Sequence, residues 1–142
     1  MKKIFGISIF IFLLLNTVVN ANTKYYGRGD LQLSKSTVDY FIKYIRGERG
    51  KRPSDFYVTL DGTNAVYWFC SAASSCTGGS GQQDIQACER TTGKQCAKFA
   101  FKRSVKWKNG INPGKGKASR FTSKMSDEEM YKKLTELGFY NN

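Results

Sequence analysis

The sequence predicts an α+β fold: a small three-stranded, mainly antiparallel sheet with three helices, in the order α-β-β-α-β-α, closed by two disulfides. Three observations carry that reading. Apolar residues recur at helical spacing in capped stretches. Elsewhere they alternate at period two, once across a turn and once along an aromatic run. Four cysteines fall at the borders of these elements.

Before the first element lies a leader. Met1-Lys2-Lys3 precedes an apolar run over residues 4–15, and a short polar stretch ends in Val19-Asn20-Ala21. A charged start, an apolar middle and a small-residue exit form a secretory signal peptide, with cleavage expected after Ala21. The run is shorter than the roughly 20 residues a spanning helix needs, and no cysteine follows it to carry a lipid anchor. Removing residues 1–21 from the 142 leaves 121, read as one domain over residues 22–142. Only Lys2 and Lys3 leave with the leader, so a net charge of +12 becomes +10. Residues 22–33 read as a polar, irregular lead-in.

Ser36 is expected to cap the first helix, with Asp39 three residues on. Val38, Phe41, Ile42 and Ile45 mark its buried face, and Gly47 suits its exit. Residues 48–53 read as a charged, mobile linker. A hairpin follows. Phe56, Val58 and Leu60 alternate with Tyr57 and Thr59, Asp61-Gly62-Thr63-Asn64 is turn chemistry, and residues 65–70 favour a strand. Aromatic residues on both faces of that second strand place it at the centre of the sheet. Residues 71–81 form a small-residue loop pinned by Cys76.

A second helix is predicted over residues 82–92, capped by Ser80 with Gln83 and ended by Gly93, with Ile85 and Cys88 inward. The third strand begins at Cys96. Phe99, Phe101, Val105 and Trp107 share one parity and should face the core, while Lys98, Lys102, Lys106 and Lys108 share the other and should face solvent. Arg103 breaks the inward row, as at a bulge, at a sheet margin or paired with a carboxylate. Residues 109–124 form a loop of glycine and basic residues. The last helix starts at Ser126, with Glu129 in the capping-box position and Met130, Leu134 and Leu137 as its apolar stripe. Glu128–Lys132 and Glu129–Lys133 are spaced as i, i+4 ion pairs, and Gly138 ends the helix.

Cys70, Cys76, Cys88 and Cys96 are separated by five, eleven and seven residues, with no C-x-x-C pair, so the pattern suits disulfides and no metal. Three pairings are possible. Cys70–Cys76 and Cys88–Cys96 each close a short loop between ordered elements, for about 2–3 kcal/mol apiece by loop-closure arguments. Histidine is absent. That removes Ser-His-Asp and Cys-His nucleophile pairs, His-ligated zinc and the usual neutral-pH base.

The segment Cys88-Glu89-Arg90, Gly93-Lys94, Cys96, Phe99-Ala100 and Trp107 resembles small exported bacterial proteins of unknown function that share a Cys-Glu-x-x-x-Gly-Lys-x-Cys helix–strand unit. The likeness runs less fully on through Gly114 and spans roughly the last 55 residues. It implies a disulfide from the helix to the next strand, Cys88–Cys96, and implies no activity.

The candidate site is the basic stretch from Lys98 to Arg120, above all Lys102, Lys106, Lys108, Lys115, Lys117 and Arg120. Cations interleaved with Gly110, Gly114 and Gly116 suit an anion, because glycines let successive N–H groups turn toward one ligand. Gly114-Lys115-Gly116-Lys117-Ala118-Ser119 lacks the leading-glycine spacing and βαβ setting of a nucleotide loop. The expectation is non-enzymatic binding of an anionic polymer or lipid surface outside the cytoplasm, with no cofactor. The alternatives are a carboxylate-dependent polysaccharide hydrolase, for which Glu89 is the nearest acid, and a structural or protein–protein module.

Overall fold

A computed structural model describes residues 25–70 and 81–142. The expected signal peptide, the Ser80 cap and the Cys70–Cys76 pairing involve residues outside this set. The elements are α1 (Lys35–Arg46), β1 (Arg52–Thr59), β2 (Ala65–Cys70), α2 (Gly81–Thr92), β3 (Cys96–Phe101), β4 (Ser104–Val105), α3 (Gly116–Ser119) and α4 (Asp127–Glu136). The fold is α+β, with an antiparallel sheet in the order β2-β1-β3-β4. Among the described residues no helix is long and apolar enough to cross a membrane.

Among the described residues, four strands and four helices replace the expected three of each. The extra strand arises because the predicted run 96–108 does not stay straight. Lys102 takes φ 53°, a left-handed turn conformation, and the chain reverses so that Phe101 pairs with Ser104 and Ala100 with Val105. Arg103 therefore lies in a hairpin turn, where its Nε donates to Ile45 O at 2.9 Å. The extra helix is the single turn of α3.

The sheet order also corrects the place of the second strand. β2 is an edge, and β1 lies inside, paired to β2 on one side and β3 on the other. Seven of the eight residues of β1 are buried, against only Cys70 in β2. The aromatic residues of β2 are half covered on each face by helices from above and below, which imitates a central strand in the sequence.

α1 and α4 cover one face. Phe41 of α1 is the hub there, meeting Phe56, Phe99 and Phe121 edge-on at ring separations of 5.2, 5.3 and 5.2 Å. Val38, Ile45, Val105, Trp107, Met130, Leu134 and Phe139 complete this core. α2 covers the opposite face over Tyr57, Cys88 and Cys96, with Ile85 and Trp68 alongside. The Cys88–Cys96 disulfide holds α2 to β3, as the spacing and the resemblance both imply.

The helix ends follow local chemistry with two changes. α4 has its capping box, with Ser126 Oγ accepting from Glu129 N and Glu129 Oε2 accepting from Ser126 N. α1 is capped two residues early, by Ser34 rather than Ser36. Asp39 instead takes Lys35 at 2.9 Å and the Tyr131 hydroxyl of α4. Nor do Glu128–Lys132 and Glu129–Lys133 pair. Glu129 is spent on the cap, Lys132 reaches Glu136 at 3.9 Å, and Lys133 turns to backbone carbonyls.

Two stretches read as irregular are ordered. The supposed linker 48–53 holds a tight reversal in which Glu48 and Lys51 exchange backbone hydrogen bonds around Arg49 and Gly50, both at positive φ, and β1 starts at once. The lead-in runs parallel to the edge of β3, with Tyr26 bridging Lys98 and Arg28 bridging Lys108. It approaches so closely that a Cβ on Gly27 would lie 1.9 Å from Trp107 Cε3. Gly27→Ala should therefore destabilise the domain by about 2 kcal/mol through overpacking. A lowered urea midpoint at unchanged m-value checks this.

Candidate anion-binding surface

The cations of the predicted site separate into three environments. Lys98 is not on a solvent face. It is 5% exposed, and its Nζ lies 2.6 Å from Oδ1 of Asp55, which is 1% exposed. Parity gave the correct side of β3 but could not show that α2 and the lead-in cover it. The Lys98 ammonium lies 5.3 Å from the Tyr57 ring, 5.6 Å from Tyr26 and 5.6 Å from Phe101. Ser54 Oγ donates to the other carboxylate oxygen of Asp55 at 2.6 Å. Among the described residues, Asp55 Oδ1 has no hydrogen-bond donor apart from the ammonium it faces.

Lys102 occupies the tip of the β3–β4 turn. Its N–H donates to Ser54 O, and its carbonyl accepts from the buried Tyr44 hydroxyl at 2.7 Å. The side chain is exposed over the Phe101 ring, so it lies with the end of α1 rather than with the loop cations.

The remaining five lie along one continuous run of backbone. Lys106 and Lys108 follow β4. The next loop folds back until Gly114 is close against them. A Cβ there would stand 3.2 Å from Lys106 O and 3.6 Å from the Lys108 stem. Lys115 comes next, then Lys117 on α3. Arg120 follows α3 and forms a bridge with Ser104, two residues before Lys106. Lys108, Lys115, Lys117 and Arg120 are exposed, and Lys106 is half-buried.

This loop is not the flexible segment its glycines suggest. Asn112, 3% exposed, donates to Val105 O and Trp107 O at 3.1 and 2.8 Å and accepts from Ser119 Oγ at 2.6 Å. Asn109 donates to Leu137 O at 2.6 Å and accepts from the N–H groups of Ile111 and Asn112. Two asparagine side chains thus replace the ladder bonds that an irregular segment lacks.

Two further cations join the surface that sequence reading did not find. Arg28 arrives through its bridge with Lys108, a long-range pairing with no local signature. Lys133 of α4 donates to the carbonyls of Lys117 and Arg120, holding α3 in place. Burial pushes the Lys133 ammonium pKa below its ordinary value. For the stretch from Lys98 to Arg120, a further signal was present in the sequence. No Asp or Glu occurs between Glu89 and Asp127.

Most of the acids are engaged elsewhere. Lys94 takes Asp61 at 2.7 Å, Arg46 takes Asp127, and Lys98 takes Asp55. Among the described residues, none of Lys102, Lys106, Lys108, Lys115, Lys117 and Arg120 forms an ion pair. Glu89, the acid of the hydrolase alternative, accepts the Cys96 N–H at 3.3 Å and so braces the disulfide turn. Two open grooves of about 630 and 440 Å³ flank α4, lined by residues of both charges, including Lys132 and Glu136 in each. Among the described residues no group of three or more His, Cys, Asp or Glu could hold a metal.

Comparison with protein-family models, with curated proteins and with solved structures finds no match for this chain.

Two outcomes follow for the buried charges. Lys98→Met should cost about 3–5 kcal/mol by stranding Asp55, while Lys98→Met with Asp55→Leu should recover most of it, as read by urea unfolding. Asp84 faces the same cluster, with the Tyr57 hydroxyl 3.5 Å from its Oδ2. Burial, reinforced by the Asp55 charge, raises its carboxyl pKa above the ordinary value, with Lys98 acting against them. An acid whose pKa rises on folding stabilises the fold below its unfolded pKa and loses that contribution as pH climbs through the folded value. Asp84→Asn should therefore raise the unfolding midpoint at pH 7, and the gain should shrink below about pH 4.

Proposed function

We propose that this chain is an exported, non-enzymatic binder of an anionic polymer or surface in the bacterial envelope, acting through Lys106, Lys108, Lys115, Lys117 and Arg120. The observation that carries this reading is the segregation of charge. Most of the acids serve ion pairs or a helix cap, while these five cations lie along an ordered loop with no carboxylate partner among the described residues. An unneutralised basic surface attracts polyanions at long range and binds them with release of counterions, so affinity falls steeply with salt. Lys102 joins this field from the turn tip, as a contributor to attraction rather than to contact.

Lys106→Glu with Lys117→Glu should lower the salt concentration that elutes the protein from an anionic polymer column. The log–log dependence of binding on salt should flatten by roughly 2, one for each cation removed. Lys43→Glu with Lys51→Glu makes the same change in net charge away from the loop and should cost much less. Equal losses from the two pairs would mean that the charge only keeps the protein in solution.

A further inference from the structure

We infer that the loop between β4 and α3 is an interfacial membrane anchor: Ile111 enters the headgroup layer of an anionic lipid bilayer while the surrounding lysines contact lipid phosphates. The inference rests on the reading of the basic surface given above and names its partner.

Ile111 is 62% exposed, the most exposed large apolar side chain among the described residues. A single exposed isoleucine is ordinary in itself. Its setting is not. The residue rides on a loop whose backbone is fixed from within by Asn109 and Asn112, and its Cδ1 would lie 2.8 Å from a Cβ placed on Gly138. The side chain is therefore seated beside Gly138 at the surface with most of its area in water, and entry into an apolar phase would relieve that exposure. Lys108 stands at the start of the loop and Lys115 at its end. Lys106 lies beneath Gly114, and Lys117 follows on α3. An exposed apolar side chain in a loop bounded by long cationic side chains matches the two layers of an anionic leaflet. The stems of the lysines reach up to the phosphates while the tip goes deeper.

The same features disfavour other polyanions. Single-stranded nucleic acid binders offer rings on which bases stack. Here Trp107 and Phe121, the rings next to the basic loop, are 2% and 0% exposed. A wall polymer of phosphate or uronate groups gains nothing from Ile111. A lipid surface uses both the charge and the isoleucine.

The test is co-sedimentation of the chain from residue 22 onward with vesicles. That chain keeps every residue of the described core. Vesicles of phosphatidylcholine with phosphatidylglycerol should take up the protein at low salt, and vesicles of phosphatidylcholine alone should not. Ile111→Ser should weaken uptake about tenfold, the loss expected for part of one aliphatic side chain, and leave retention on the anionic polymer column unchanged. Ile111→Trp should restore or exceed parental uptake, with a blue shift of its emission on the vesicles. Ile111→Ser binding like the parent overturns the anchor. No uptake by charged vesicles with column retention intact overturns the lipid partner and leaves the basic-surface reading standing, as does tighter binding to single-stranded DNA than to vesicles. Loss of retention on every anionic matrix overturns both.

Discussion

β1 is covered on both faces, by α1 on one side and by α2 on the other, and the rest of the molecule adapts to that enclosure. A strand with no solvent face must be apolar or must bring partners for its polar groups. Asp55 is the polar exception on this strand, and it draws Lys98 out of solvent from the neighbouring strand. The ion pair in turn needs a roof. α2 supplies it, held down by Cys88–Cys96, while Tyr26 of the lead-in closes the side. Removing one member leaves the other charged and buried, so truncating one side of the pair costs far more than replacing both.

Enclosure also sorts the charges. Eleven acids face 23 basic residues, and the acids are used where structure needs an anion: at the α4 cap, against the turn lysine Lys94, on the α1–α4 seam and inside the sheet. What remains exposed between β4 and α3 is cationic without being paired. A basic composition alone would spread its field evenly. Here the field is concentrated on a loop that two asparagines hold rigid, so the charges keep fixed positions relative to one another.

Much of this was legible in the chain because it depends on neighbours in sequence. The α4 capping box, the stripe Met130–Leu134–Leu137, the β1–β2 hairpin and the Cys88–Cys96 link all use residues within a few turns of each other. The α+β class follows from those elements. What stayed hidden depends on residues far apart. Alternation tells which side of a strand a residue takes but not whether anything lies over that side, so Lys98 read as solvated and β2 as central. A two-residue reversal at Lys102-Arg103 carries no Asn-Gly or Asp-Gly signature, so one strand became two. At the candidate surface, Lys106 to Arg120 could be read directly. Arg28 and the internal bracing by Asn109 and Asn112 could not, because glycines in a loop look the same whether or not side chains fasten it.

The lead-in and the C-terminal segment are joined. Leu33 N–H donates to Phe139 O at 2.8 Å, and Gln32 Nε2 donates to Gly138 O, 106 positions away. Tyr26 and Arg28 likewise pair with strand residues made some 70 to 80 positions later. A chain emerging from the ribosome in order therefore holds Tyr26 and Arg28 without their mates until Lys98 and Lys108 exist, and Gln32 and Leu33 until Gly138 and Phe139 exist. Non-local closures of this kind slow folding and lengthen the time in which a nascent chain is open to chaperones.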